Sequence, residues 1–525
     1  MTRSGMVARL QASGETCDLA IIGGGATGVG IAADAASRGY RVVLLEQHDF
    51  GKGTSSRSTK LVHGGVRYLE QGNIALVMEA LKERGMLRQN APHLVSNLAF
   101  VVPNYDWWEA PFYGIGLKVY DALAGKYGFG TSQILSRAET LQRLPTIRTE
   151  GLRGGVVYYD GQFDDARLLI SLVRTAADHG ATLLNYTKVT HLTKDDGGFV
   201  DGLLAQDVET GNTWRVRAPV VINATGPFAD EVRRLAEPDA ATLIAPSQGI
   251  HLVFDKSFLP GDSAIMVPHT SDGRVMFAIP WHGHTLVGTT DTPIDVPTLE
   301  PRPFDAEIDF ILETAGQYLH KAPTRADVLS VFVGIRPLVK SGQGKLTSAL
   351  SRDHTIHIDA SGLLTTAGGK WTTYRHMAED TVSQAAELAR LPERRCLTRA
   401  LKLHGFHQSA GQFGSLSVYG SDAPAIRDLM RSDSRLAAPL HPALPYTGAE
   451  VVWAVRHELA RTIEDVLARR CRALFLNAAA AVQMVPAVAR LMAGELGWDP
   501  PRIERETADV LAVAKGYLIE SAVMP

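Results

Sequence analysis

The stretch LAIIGGGATGVGIAADAASRGYRVVLLE, residues 19–46, decides the fold. Apolar residues from Leu19 to Ile22 lead into Gly23-Gly24-Gly25-Ala26-Thr27-Gly28. An alanine-rich run then reads as a helix, Gly39 closes it, and Arg41 to Leu45 reads as a second strand ending in Glu46. Strand, glycine turn, helix, strand and acid form the context in which G-x-G-x-x-G marks a dinucleotide-binding turn. Gly23 permits the turn, Gly25 lets the backbone approach a pyrophosphate, and Gly28 lets helix and strand pack closely. Free N–H groups at the helix start, at Ala26 and Thr27, face the anion. Glu46 is placed to accept hydrogen bonds from a ribose. The plainer alternative is a glycine-rich turn in an ordinary α/β core.

Working outward, a chain of 525 residues is too long for one core and predicts two or three domains. With 45% hydrophobic and 21% charged residues it has the composition of a soluble globular protein. A net charge of −3 argues against recruitment of nucleic acid by a global field. Cys17, Cys396 and Cys471 form no C-x-x-C pair, which argues against a structural zinc site or a disulfide framework. Residues 1–16 hold no apolar run of signal-peptide length. No window offers ~18 uninterrupted apolar residues, so no membrane span is expected.

Helices are expected over 73–88, 136–144, 164–179 with Gly180 as cap, and from Thr372 to about Arg390. Residues 155–161 read as a strand, and runs at 181–193, 199–208 and 213–222 as a β-rich meander. Residues 249–288 read as the sheet of a second domain. Beyond Pro392 the texture turns to helices joined by polar loops. There Leu459, Ile463, Val466, Leu467, Cys471 and Leu474 fall on one helical face.

Glycine-turn strands that can meet a nucleotide recur at 19–28, 220–227 and 363–370. A nicotinamide domain is normally one continuous segment of ~150 residues. Three distant segments instead suggest a flavoprotein, with FAD as the cofactor. The run Thr54 to Leu69, dense in hydroxyls, glycine and cations, suits a pyrophosphate and a flat ring; a polar surface loop is the alternative.

These residues resemble a known family. Gly23-Gly24-Gly25 through Ala36, Thr54-Ser55-Ser56 through Lys60-Leu61-Val62-His63-Gly64-Gly65-Val66-Arg67-Tyr68-Leu69-Glu70, and Asn223-Ala224-Thr225-Gly226-Pro227 are similar to FAD-dependent glycerol-3-phosphate dehydrogenases. So are Phe277 to Trp281, Gly288-Thr289-Thr290-Asp291, Gly334 to Leu338, Ser351 to Thr355, and Gly368-Gly369-Lys370-Trp371-Thr372-Thr373-Tyr374-Arg375, where Trp371 replaces the usual Leu. The resemblance spans roughly 17–390. It implies an α/β + α architecture with a discontinuous Rossmann-like FAD-binding domain of the glutathione-reductase/D-amino-acid-oxidase type at 17–95, 150–245 and 330–392. A β-sheet substrate-capping domain would occupy 96–149 and 246–329, and a C-terminal helical domain 393–525. It further implies cofactor contacts from Gly23, Gly25, Ala26, Thr27, Gly28, Glu46, Thr54, Ser55, Ser56, Lys60, Leu61, His63, Gly64, Val189, Thr225, Gly226, Gly369, Lys370 and Thr372.

The implied reaction is oxidation of sn-glycerol 3-phosphate to dihydroxyacetone phosphate, with hydride to flavin N5 and electrons to a quinone. Alcohol oxidation needs a group that takes the hydroxyl proton, and histidine suits that near neutral pH. A phosphate needs fixed cations, and arginine offers a bidentate fork. By similarity, Arg67, Arg352 and Lys370 contact the phosphate or substrate oxygens, Arg336 stabilises charge at the reacting hydroxyl, and Tyr68 lines the pocket. His251 is the expected base, with His63 at the flavin or in proton transfer. On residues alone, His251 is also readable as a core histidine and Arg352–Asp353 as a surface ion pair; Arg336 needs a partner anion, which a bound phosphate would supply.

The short VKSGQGKLTSALS run before Arg352 favours the family's dehydrogenase branch over its oxidase branch. Quinone reduction requires bilayer contact, placing the protein in the cytoplasm at the inner face of the membrane. Trp107, Trp108, Phe112, Tyr113, Ile115 and Leu117, flanked by Lys118 and Lys126, are the candidate anchor; the same aromatics would serve a core or a homodimer interface. Arg469-Arg470-Cys471-Arg472 reads as a solvated helix face or a basic contact to the bilayer. Competing readings are an oxygen-using amine or 2-hydroxy-acid oxidase of the same fold, and a non-catalytic flavin-binding redox sensor.

Overall fold

In the computed structural model, which describes residues 1–519 apart from 15, 67–72, 269, 272 and 341–353, the opening stretch folds as read. Leu19–Ile22 and Val42–Leu45 are parallel strands joined by the helix Ala26–Ser37. Both strands are buried throughout, as strands of a sheet covered on both faces must be. The helix packs against two others, Asp165–Asp178 and Tyr374–Leu388. Its alanines and glycines allow this close approach: a Cβ on Gly30 would lie 2.8 Å from the Tyr374 ring.

The first sheet runs His354–Ile358, Leu364–Gly368, Val220–Asn223, Leu19–Ile22, Val42–Leu45 and Thr182–Leu184. It is parallel except at its first edge strand, which pairs antiparallel with its neighbour. The three glycine-turn segments thus lie side by side, ending at one crevice. The meander forms a separate antiparallel sheet of Thr187–Lys194, Val200–Asp207 and Thr213–Arg217.

A second large sheet carries the other half of the site. Its spine is the antiparallel pair Ile244–Asp255 and Val328–Val339, which sets Gly249 opposite Gly334, His251 opposite Phe332 and Ser247 opposite Arg336. On its other side, Ile244–Asp255 pairs with His284–Gly288, placing His251 opposite Gly288. Gly154–Phe163 and Val328–Val339 both belong to this sheet, although the sequence division put them with the nucleotide domain. An apolar run shows that a strand is buried, and its pairing partner decides which sheet it joins.

The helices expected over 73–88, 136–144 and 164–179 form as Ile74–Asn90, Arg137–Arg143 and Asp165–Asp178, capped by Asn73, Ser136 and Asp164. The C-terminal helices share an apolar cluster with the second sheet, in which Trp281 and Phe332 meet Leu474, Phe475 and Met484.

Two expectations change here. Residues 459–474 are not one helix: Leu459 and Arg472 have positive φ and break it, and Asp465–Arg470 is a π-helix. The apolar face is nonetheless buried as expected at Leu459, Ile463, Val466, Leu467, Cys471 and Leu474. Arg469, Arg470 and Arg472 are buried rather than solvated or facing a bilayer. Arg469 and Arg470 both reach the carboxylate of Asp49, and Arg472 reaches Asp165. Buried carboxylates require such partners.

Candidate active site

The glycine turn opens onto a cavity of about 470 Å³. Gly23, Gly25, Ala26, Thr27, Glu46, Thr54, Ser55, Val189, Thr225, Gly226, Gly369 and Lys370 line it, as expected, joined by His48, Lys52, Thr187, Phe228 and Trp371. Gly28 lies behind the wall, where a Cβ would sit 2.0 Å from the Gly23 carbonyl oxygen. Gly25 caps the helix without a side-chain bond, leaving first-turn N–H groups for an anion, although Ala26 N–H donates to Ser55 Oγ at 2.9 Å. Gly226, Gly368 and Gly369, all at positive φ, bring bare backbone to the facing wall. This cradle fits a dinucleotide pyrophosphate. Glu46 accepts N–H bonds from Gly24 at 2.7 Å and His48 at 2.8 Å, and its carboxylate has further lone pairs for a ribose. Burial raises its pKa above the ordinary glutamate value.

A second cavity, of about 230 Å³, meets the first at Thr54, Pro337, Gly368, Gly369, Lys370 and Trp371. His251, Arg336, His63, Leu61 and Thr372 line it, so the strands of the second sheet bring the expected base and clamp to the mouth of the nucleotide cavity. Three glycines make room for these groups. A Cβ on Gly288 would lie 2.3 Å from His251 Cδ2, one on Gly249 2.5 Å from Arg336 Nη2, and one on Gly334 2.8 Å from the Arg57 carbonyl oxygen.

His251 stacks on Phe332 with ring centroids 4.8 Å apart, and its Nε2 lies 2.9 Å from Thr59 Oγ1. Burial, and then the charges of Lys60 and Arg336, hold its pKa well below 6.5. The imidazole is therefore neutral at pH 7, the state a base requires. Arg336 donates to the carbonyls of Gln248 at 3.2 Å and Thr290 at 2.8 Å, and pairs with Asp291 at 3.1 Å. The anion that Arg336 was expected to need is thus supplied within the protein. Asp291, quoted in the Gly-Thr-Thr-Asp run without a role, was missed because strand register alone brings it to Arg336. Thr59 and Arg57 were given no individual role, inside a run read as dense in hydroxyls, glycine and cations.

Four expected cofactor residues stand back from both cavities. Ser56, Lys60 and Gly64 are buried behind the site, as Gly28 is. Lys60 Nζ bonds Asp165 at 2.7 Å and the Ser56 carbonyl at 2.8 Å. Burial pushes its ammonium pKa down to about 7 against the pull of Asp165. Trp371 Nε1 donates to the Ser55 carbonyl at 2.8 Å, so the residue replacing the usual Leu is part of the wall. Arg67, Tyr68 and Arg352 lie outside the described residues.

A discontinuous dinucleotide fold whose cavity opens onto a second one, walled by a histidine and cations, defines an oxidoreductase of the flavin type. Comparison with known proteins narrows this. Residues 18–375 match the FAD dependent oxidoreductase family, and residues 396–503 the C-terminal domain of alpha-glycerophosphate oxidase. A mitochondrial glycerol-3-phosphate dehydrogenase of Homo sapiens is 41% identical over 516 residues, covering 92% of this chain and 71% of that one. One from Arabidopsis thaliana is 40% identical over 544 residues, covering 95% and 86%. The crystal structure of the glycerol-3-phosphate dehydrogenase from Bacillus halodurans complexed with FAD superposes with a TM-score of 0.80 at 31% identity, over 98% of each chain. The chain belongs to the FAD-dependent glycerol-3-phosphate dehydrogenase family.

Proposed function

We propose that the protein oxidises sn-glycerol 3-phosphate to dihydroxyacetone phosphate, with FAD as its cofactor and a membrane quinone as electron acceptor. The observation that carries this reading is the junction of the two cavities. His251 and Arg336 line the smaller one, Lys370 lines both, and the nucleotide cradle lies beyond. Bound flavin supplies the two-electron acceptor for the alcohol C–H bond. Lys370, with Arg67 and Arg352, binds the phosphate. Arg336 faces the reacting oxygen and stabilises its developing negative charge; its fixed bonds mean little reorganisation is needed. His251 takes the hydroxyl proton at Nε2, the nitrogen aligned by Thr59, and His63 borders substrate and ring. An amine or 2-hydroxy-acid oxidase would hold a carboxylate with one arginine and would not need several cations.

The acceptor side rests on the segment before and along the helix Glu109–Ala124. Trp108, Phe112, Ile115 and Val119 fall at helical spacing on an exposed face, next to the 76% exposed Trp107. Leu117, expected in the anchor, is buried with Gly114, Tyr120 and Ala124 and holds the helix to the body. Lys118 and Lys126 are exposed beside the apolar face. Aromatics flanked by lysines suit the headgroup region of a bilayer. Among the described residues no helix is long and apolar enough to cross a membrane. The protein would therefore dock peripherally, at the inner face of the cytoplasmic membrane. Turnover with glycerol 3-phosphate and a quinone in vesicles, compared with oxygen alone, tests the assignment. Quinone-dependent turnover supports it, whereas equal or faster turnover with oxygen favours an oxidase.

A further inference from the structure

The loop 54–60 bonds to four parts of the site wall. Thr54 Oγ1 donates to the Ile335 carbonyl at 2.6 Å, in the strand that carries Arg336. Ser55 Oγ accepts the Ala26 N–H of the glycine-turn helix, and its carbonyl accepts the Trp371 indole. Thr59 meets His251. The face of this loop turned away from the cavities is held by a buried charge cluster. The Ser56 carbonyl accepts from Lys60 Nζ and from Arg472 Nη2, each at 2.8 Å. Asp165 Oδ2 accepts from Ser58 N at 3.0 Å, Ser58 Oγ at 2.6 Å and Lys60 Nζ at 2.7 Å, while its Oδ1 accepts from Arg472 at 3.0 Å. Arg472 and Asp165 are 1% and 0% exposed, so water competes for none of these bonds. Lys60 holds a left-handed backbone conformation (φ 65°), which surrounding contacts must over-determine in a residue other than glycine.

We infer that Arg472, contributed by the C-terminal helical region, is a positioning residue of the flavin site, acting with Asp165 through the Ser56 carbonyl. Arg472 lies at the break after the π-helix, with its guanidinium over the Phe475 ring at 4.2 Å. Its Nη2 donates to both the Ser56 carbonyl and the Asp165 carboxylate, two groups that Lys60 also holds, while Nη1 donates to the Ala468 carbonyl at 2.8 Å. A single arginine thereby ties the C-terminal helices to the helix Asp165–Asp178 and to the loop beneath both cavities. The sequence, read alone, assigned this arginine only a solvated or bilayer-facing place. The inference rests on the reading of the first cavity as the FAD site.

The test uses full-length Arg472→Lys and Arg472→Met proteins, with Glu458→Gln as control. Glu458 forms an equally buried bidentate pair at 2.7–2.8 Å with Arg167, which sits on the helix Asp165–Asp178 and not on the loop. FAD affinity is measured by fluorescence titration, the flavin environment by visible circular dichroism, and folding by melting temperature. Arg472→Lys, which keeps the charge but loses the rigid guanidinium that holds Ala468, Ser56 and Asp165 together, is expected to bind FAD about tenfold more weakly or worse and to alter the flavin dichroism. Glu458→Gln is expected to melt earlier with flavin affinity and dichroism unchanged. Unchanged flavin signals in a folded Arg472 variant, or equal losses in Glu458→Gln, would overturn the inference. A folded wild-type chain that takes up no FAD would overturn the flavin reading, and the inference with it.

Discussion

Alanine at Gly249 displaces Arg336 without altering any group assigned to the chemistry. Its Cβ would lie 2.5 Å from Arg336 Nη2, 2.7 Å from Nη1 and 2.5 Å from the Thr290 carbonyl oxygen. Non-bonded heavy atoms settle at ~3.5 Å, so the guanidinium must retreat by about 1 Å. It then gives up its bonds to Gln248 and Thr290. Overpacking of this kind costs about 1–3 kcal/mol of stability. A 1 Å misplacement at a catalytic group costs roughly 10²-fold in rate, or about 3 kcal/mol in the barrier. The assay is anaerobic stopped-flow reduction of the bound flavin by glycerol 3-phosphate, with a melting curve beside it. Gly202→Ala is the control, because its Cβ would meet the Val216 carbonyl oxygen at 2.3 Å in the separate three-stranded sheet. Both variants should melt earlier, and only Gly249→Ala should reduce slowly. Wild-type reduction by folded Gly249→Ala would refute the role given to Arg336, and equal slowing in Gly202→Ala would reduce the effect to general loosening.

Three further outcomes are expected. His251→Asn should slow flavin reduction by about 10²–10⁴-fold at pH 7.5 while FAD stays bound; a loss under about threefold would remove His251 as the base. Trp108→Ser with Phe112→Ser should lose vesicle binding by roughly tenfold per side chain while anaerobic reduction by glycerol 3-phosphate stays intact; undiminished co-sedimentation with vesicles would clear this face of the anchoring role. Burial holds the pKa of His93, chiefly by desolvation, at about 4 instead of 6.5. Because the folded value is the lower one, the unfolded chain binds the extra proton, so this contribution is present above pH 6.5 and lost as pH falls toward 4. It amounts to about 3 kcal/mol at the acid end. Denaturant unfolding of wild type and His93→Gln across that window should show the wild type losing more, and parallel curves would contradict it.

The glycine turn was legible because its residue types are dictated locally: Gly23 adopts φ 110°, and nothing larger than glycine fits at Gly28. Helix starts at Asn73, Ser136 and Asp164 were legible for the same reason, since a cap is a contact within three residues. Long-range pairing was not. Arg469 and Arg470 look like surface charges until Asp49, some four hundred positions earlier, is brought beneath them. Asp291 reaches Arg336 only through strand register, and Gly154–Phe163 gives no local sign of which sheet it joins. Both faces of Glu109–Ala124 are apolar, so periodicity alone could not say that Leu117 turns inward and Ile115 outward.

The most direct measurement is an anaerobic titration of the FAD-loaded protein with glycerol 3-phosphate, followed at the oxidised-flavin absorbance band. Rapid bleaching is expected, absent with glycerol and strongly slowed in Arg336→Ala. A flavin that stays oxidised with glycerol 3-phosphate, or bleaches equally with glycerol, would contradict the assignment.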